Sequence, residues 1–383
     1  MVDAASLNAD ATAGRIDRVA LDAAIGTLGA QFQDAISIGH DFLFADAALF
    51  ITPAQMEQMR DVVAAAERVV KLPGWMEDAR SGQYYLGVFY GYDFHLNDDG
   101  TRLIEINTNA GGAFLNALLA ASQRDVAMPG IAVSPDGPEQ SFLDMFRNEW
   151  VLARGDAPLK AIAIVDEQPE SQYLYPEFLL AQCMFRHAGI AAHICDPSVL
   201  QIRDKDLYLD KDKIDLVYNR LTDFSLRQHP ALFQAYLDGS VVVTPSPAHF
   251  VRYADKRNLA RLSDAAGLRA LGANESDIAV LQAGVPHTFV VQKGADESLW
   301  QQRKELFFKP VSGYGSKGVY RGDKLTKRVF GEILQSDYVA QKLATPGERS
   351  VCPDDGETTL LKYDVRCFVY DGQIQLVGAR LYR

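Results

Sequence analysis

Asp93, Glu105 and Asn107 are the first residues along the chain whose types and spacing suit chemistry. The apolar runs 86–96 and 103–107 flank Asn97-Asp98-Asp99-Gly100, a strong turn signal, so the segment predicts a β-hairpin. In such a hairpin Asp93 can face Glu105, and Glu105 and Asn107, two apart, project from one face. Three oxygen donors on one face suit a hard divalent cation such as Mg²⁺ held between protein and phosphates. The competing reading is a solvated polar face beside a turn. Against it, Ile104 and Ile106 make the opposite face apolar and Gly111-Gly112 breaks the strand, so the strand reads as half buried.

The second group is the loop after the apolar run 306–310: Lys309-Pro310-Val311-Ser312-Gly313-Tyr314-Gly315-Ser316-Lys317-Gly318. Glycines let backbone N–H groups approach an anion closely, and Lys309 and Lys317 bring charge to a phosphate. The loop is neither a Rossmann fingerprint, since no helix opens on its last glycine, nor a Walker A loop, which ends Gly-Lys-Ser/Thr. A surface hairpin is the alternative. Third, Asp364 and Arg366 share a strand face, and Arg380 lies on the partner strand across Tyr370-Asp371-Gly372. Two guanidiniums near one carboxylate make either a salt-bridge ladder or a phosphate clamp. Lys256 follows Thr244-Pro245-Ser246-Pro247 and reads alone as an exposed helix-start lysine. Arg220 sits just past the strand 216–218, where open α/β sheets place ligand contacts.

The elements that must position these groups follow from periodicity. Residues 1–80 read as helical, with a capping box at Thr52-Pro53-Ala54-Gln55. Residues 114–122 read as a helix after the glycine pair. Between 160 and 250, short apolar strands alternate with helices, which predicts a small open parallel sheet. Residues 251–383 mix helix and strand. The chain has 383 residues, enough for two or three domains. With 48% hydrophobic and 23% charged residues it has the composition of a globular protein. A net charge of −12 disfavours nucleic acid and anionic lipid as general partners. No apolar run is long enough to span a bilayer, the N-terminus has no signal-peptide core, and the four cysteines show no metal spacing, so cytoplasm is the expected compartment.

Together these segments resemble the ATP-grasp superfamily. Pro245 to Asp255-Lys256 looks like the start of its ATP-binding part. Lys309-Pro310 with Gly313, Gly315 and Gly318 resembles its phosphate loop, Val339-Ala340-Gln341-Lys342-Leu343 its adenine hinge, and Asp364-Val365-Arg366 its Asp-x-Arg strand. The family's usual order puts the Asp hairpin and Glu-x-Asn last. Here they come first, an order similar to the circularly permuted eukaryotic glutathione synthetases, in which Glu-x-Asn-Thr and Gly-Gly precede the substrate domain. Tyr218-Asn219-Arg220 also looks like that family's substrate-contacting segment. Two features depart from the pattern: no acidic residue lies between Lys309 and Tyr320, and residues 1–80 match none of its segments.

The resemblance implies a mixed α/β (α+β) ATP-grasp fold, circularly permuted, with a small Rossmann-like substrate domain. Its parts would be a helical region at 1–80, the metal-binding part at 81–150, the substrate domain at 151–250 and the nucleotide-binding part with its lid at 251–383. It implies an ATP- and Mg²⁺-dependent ligase that activates a carboxylate as an acyl phosphate for attack by an amine or thiol. ATP would lie against Lys256, Lys309, Ser312, Gly313, Gly315, Ser316, Gly318, Gln341, Lys342 and Leu343. Mg²⁺ would lie on Asp93, Glu105 and Asn107, and the acyl phosphate on Arg366 and Arg380. Asn109, Gly111, Gly112 and Arg220 would meet substrate. A phosphotransferase or a non-catalytic nucleotide-binding protein would use the same ATP site, and related ligases are often dimers.

Overall fold

The computed structural model describes residues 3–37, 43–76, 86–97, 100–126, 137–292, 297–313, 318–352 and 356–383. Four helices open the chain: α1 (Ala4–Ala9), α2 (Arg18–Gly26), α3 (Ala30–Ser37) and α4 (Pro53–Val70). The expected capping box starts α4. The Gln55 backbone N–H donates to Thr52 Oγ1 at 3.1 Å, and Thr52 N–H donates to Gln55 Oε1 at 2.8 Å. The apolar stripe Met59, Val62, Val63, Ala66 and Val69 is buried against Tyr92, Phe94 and Ile106.

Those partners lie on β1 (Tyr90–Asn97) and β2 (Gly100–Asn107), the expected hairpin; Asp98 and Asp99 of its turn lie outside the described residues. Asp93 faces Glu105, but Phe94 faces Leu103, so Ile104 bulges out of register. Such a bulge leaves a backbone group without its ladder partner. The first strand starts later than its apolar run suggests. Val88 and its neighbours are not strand, because side chains take their N–H groups: Glu149 accepts from Leu86 and Gly87, and Thr244 Oγ1 from Val88. Helices α5 (Ala113–Ser122) and α6 (Glu139–Arg154) follow.

The strand–helix alternation forms a parallel sheet in the order β4-β3-β8-β9, as expected. Its elements are β3 (Ala161–Val165), α7 (Tyr175–His187), β4 (Ala191–Cys195), β8 (Leu216–Asn219), α8 (Pro230–Leu237) and β9 (Val242–Thr244). A small meander of β5 (Leu200–Arg203), β6 (Asp206–Leu209) and β7 (Asp212–Lys213), unforeseen from sequence, interrupts it. A second four-stranded sheet takes the order β10-β13-β11-β12, from β10 (Thr288–Val290), β11 (Leu306–Pro310), β12 (Tyr320–Arg321) and β13 (Tyr338–Lys342).

The last strands are β14 (Gly347–Val351), β15 (Thr359–Tyr370) and β16 (Gln373–Tyr382). Asp371 and Gly372, both at positive φ, make the two-residue turn between β15 and β16. One edge of β15 pairs with β14 and then with β1; the other pairs with β16. The front of the chain thus folds back into the sheet built by its end. All four cysteines are free thiols, and among the described residues no helix is long and apolar enough to cross a membrane.

Candidate active site

Lys309 sits on β11 beside β13 with 8% of its surface exposed. Its Nζ donates to the bulged Ile104 carbonyl at 2.8 Å and to Gln341 Oε1 at 2.9 Å; Gln341 Nε2 in turn donates to Thr288 Oγ1. The bulge in β2 thereby supplies the acceptor that docks the second sheet's lysine. Lys256 is buried, not the exposed lysine of the bland reading. It lies just before the helix Arg257–Leu262, and its Nζ reaches Gly313 O at 3.0 Å and Glu105 Oε1 at 2.9 Å. Burial drives the Lys309 pKa down to about 8, and the Lys256 charge adds to this while Glu105 opposes it. Burial pushes Glu105 up, but Lys256 and Lys309 outweigh it and hold its carboxyl below the usual range.

Of the glycine-rich loop, Ser312 and Gly313 directly follow β11. Gly318, at positive φ, accepts from the Tyr338 hydroxyl at 2.9 Å. Gly315, Ser316 and Lys317 lie outside the described residues. The hinge segment is tied into the protein through its own hydrogen bonds. The N–H groups of Lys342 and Leu343 donate to the carbonyls of His287 and Glu305 at 2.8 Å each, and the Gln341 side chain is spent on Lys309. Backbone N–H groups at 342 and 343 are therefore taken by the protein rather than turned toward a base.

Asp93 has 0% exposure and accepts four hydrogen bonds. Register puts Arg366 opposite it on β15. Arg366 Nε and Nη2 donate to its two oxygens at 2.6 Å each, Arg380 Nη2 at 3.1 Å and Asn107 Nδ2 at 3.1 Å. Arg380 also forks onto Asp364 at 2.8 and 2.9 Å. Two aspartates and two arginines balance in charge, so the salt-bridge ladder is what these side chains form. The carboxylate expected as a metal ligand thus accepts one hydrogen bond at Oδ1 and three at Oδ2. Among the described residues no three His, Cys, Asp or Glu side chains gather at a point that would hold a metal. Glu105, 28% exposed at its side chain, and the side-chain oxygen of Asn107 remain as donors.

Arg220 lies where β8 ends, beside β3. These strands flank the point where the chain order of the parallel sheet reverses, the usual ligand crevice of such sheets. It is buried; Nη1 donates to Ala110 O at 3.2 Å, while Nε has no partner among the described residues. Asn109 Nδ2 donates to Leu221 O, fixing the same turn. Gly111 packs so tightly that an added Cβ would stand 2.2 Å from Leu174 and 3.1 Å from Arg220. Gly112 N–H donates to Glu177 Oε2 at 2.6 Å. Two acids here escaped the sequence reading. Burial raises Asp166, next after β3, to about 6 and Glu177 to about 7, with Arg220 pulling both back. Asp166 carried a readable signal, an acid at the carboxyl end of an apolar strand. Glu177, one residue after a helix-start proline, carried none.

No family model matches the sequence, and no curated protein does. Solved structures do. A glutathione synthetase-like effector (GSS30) from Globodera pallida, in apo form, aligns over 95% of this chain and 94% of its own at 13% identity, with a TM-score of 0.57. A putative gamma-glutamylcysteine synthetase from Methylobacillus flagellatus aligns over 87% and 84% at 11% identity, with a TM-score of 0.48. The ATP-grasp ligase PsnB, complexed with a minimal precursor, Mg and ADP, aligns over 52% and 72% at 16%, with a TM-score of 0.31. The fold is a mixed α/β fold similar to that of the glutathione synthetase-like effector. The chain shares that architecture over nearly its whole length.

Proposed function

We propose that the chain is an ATP- and Mg²⁺-dependent ligase that joins a carboxylate to an amine or thiol through an acyl phosphate. One observation carries the reading: Lys256 bonds both Glu105 and Gly313, while Lys309 bonds the Ile104 carbonyl next to Glu105 and its charge helps hold the Glu105 carboxyl low, so distant segments converge. Buried cations beside a glycine-rich loop suit a polyphosphate.

In this reading the N-terminal hairpin replaces the one that usually ends an ATP-grasp domain, a circular permutation supported by β1 lying beside β15. Lys256 and Lys309 neutralise ATP phosphates. Glu105 and Asn107 would hold Mg²⁺, which typically takes one or two protein carboxylates and completes its shell with phosphate and water; bound there, it would offset phosphate charge. Asp93 orients Asn107 and the arginines. A substrate carboxylate oxygen attacks the terminal phosphorus, the bond to the bridging oxygen breaks, and ADP leaves with that electron pair. The amine or thiol then attacks the acyl carbon, the bond to phosphate breaks, phosphate leaves and the nucleophile gives its proton to solvent. Arg366 and Arg380 lie where the acyl phosphate's charge develops, and positioning of this kind supplies most of such catalysis. Residues 81–150 and 251–383 then make one catalytic unit around the substrate domain at 151–250.

The test is ADP release in the presence of ATP, Mg²⁺ and panels of acids and amines. Release that requires both an acid and an amine or thiol supports the ligase. Release with an acid or alcohol alone, giving a stable phosphorylated product, identifies a phosphotransferase. ATP binding without turnover on any pair identifies a nucleotide-binding protein.

A further inference from the structure

A cavity of about 1410 Å³ lies between α5, the outer strands β15 and β16, and the N-terminal segment at residues 43–49. Small-ligand sites commonly span roughly 300–1,000 Å³, so this one has room for more than an amino acid. Its wall is mostly aliphatic and aromatic; Phe44, Leu49, Leu115, Leu119, Leu376 and Val377 are representative. Arg124, Arg366, Arg380 and Arg383 line it with a single acid, Asp46; Asp46 is paired with Arg18, and Arg366 and Arg380 with Asp93 and Asp364 behind the wall.

The polar end adjoins the site above. Arg366 lines the cavity and also touches Asp93 and Gly111 O. Arg380 is 53% exposed at its side chain, and among the described residues nothing accepts from its Nη1. The roof is fixed to the sheet by Arg349 of β14. Fully buried, it donates to the carbonyls of Asn8, Asp10, Ala13 and Ala48, tying the N-terminal segment down over the cavity.

We propose that this cavity takes the carboxylate substrate and that the substrate is an amphiphilic acid. Its carboxylate lies at the Arg366–Arg380 end, and an extended apolar group runs under the N-terminal segment. The inference rests on the ligase reading and adds the substrate class. It also gives the N-terminal helical region a task, that of a hydrophobic roof.

The test uses straight-chain alkanoates from butanoate to dodecanoate, below their micelle concentrations and without ATP, titrated by calorimetry. Each methylene buried contributes about 0.8 kcal/mol, so affinity is expected to rise about fourfold per carbon until the cavity is full. Ala120→Trp, on the cavity side of α5, is expected to weaken dodecanoate at least about tenfold and leave butanoate unchanged. Arg380→Met is expected to weaken every acid by one common factor. Affinity that does not grow with chain length, tighter binding of glutamate than of dodecanoate, or a dodecanoate affinity that Ala120→Trp leaves unchanged would each overturn the proposal. A parallel ATP titration separates the two readings. Retained ATP binding with a flat acid series overturns the substrate class alone, whereas absent ATP binding overturns the ligase itself.

Discussion

Replacing Lys309 with methionine separates what the residue costs the fold from what it does for a nucleotide. The ammonium is buried, and burial lowers its pKa from the ordinary lysine value of 10.5 to about 8. That difference corresponds to about 3 kcal/mol. The unfolded chain keeps the proton up to about pH 10.5, the folded chain only to about 8. Between those values the unfolded state binds more protons, so wild-type stability rises with pH; below about 8 both states are protonated and the full cost stands. Lys309→Met removes the titration. The thermal-midpoint difference, variant minus wild type, is therefore expected to shrink on going from pH 7 to 10, by an amount on the order of 5 °C. Nucleotide binding should move the other way. Loss of a charge-assisted contact costs about 1.5–3 kcal/mol, or about 10- to 150-fold in Kd. The wild-type affinity for ATP with Mg²⁺ should itself fall above about pH 8, where the lysine is neutral, and the variant's should lack that step. Calorimetric titrations from pH 6.5 to 9.5 measure both. A variant that binds ATP within threefold of wild type, or a wild-type affinity flat through pH 8, would refute the assignment.

Three further outcomes are expected. Asp93→Asn leaves Arg366 buried without its anion and should cost about 3–5 kcal/mol, read as a fall in the thermal midpoint with the far-ultraviolet spectrum retained at low temperature. Glu105→Gln removes the charged donor next to Asn107, so ATP binding should lose most of its Mg²⁺ dependence; an unchanged dependence places the metal elsewhere. Arg349→Ala removes the guanidinium that holds the N-terminal carbonyls, so limited proteolysis should cut within residues 3–50 at least tenfold faster while the segments after residue 86 stay protected.

Much of the architecture was legible because its signals are local. The capping box at Thr52, the Asp371-Gly372 turn and the apolar strands of the parallel sheet each depend on neighbours in sequence, and each formed. What failed depended on partners elsewhere in the chain. The run 86–89 reads as strand by composition, yet Glu149 and Thr244 capture its N–H groups from 62 and 156 residues away. Asp93 was legible as the residue facing Glu105. Its sharing between Arg366 and Arg380 was not, because it needs the register of β1 against β15. Lys256 read as exposed, since nothing local announces that Glu105 and Gly313 will cover it.

The same distances bear on how the site and the fold depend on one another. Lys309 meets Ile104 across 205 positions of sequence, and Arg366 meets Asp93 across 273. Closing such loops costs entropy that grows only slowly with length, by about 0.6 kcal/mol per doubling, so the long separation is cheap at equilibrium. It is costly in mechanism if either contact is lost: without Asp93 the hairpin has no charged tie to β15, and Glu105 then loses the sheet that aims it at Lys256. A polyphosphate gripped by Lys256, Lys309 and the Glu105–Asn107 face would join the front of the chain to its end. It would stabilise the native state by mass action, by an amount set by ligand concentration over Kd, and a variant whose ion-pair quartet is weakened offers it a less well-aimed site. At one fixed concentration ATP with Mg²⁺ should therefore raise the thermal midpoint of Asp93→Asn by less than that of the wild type. An equal rise at that concentration would mean that the quartet and the phosphate site act independently.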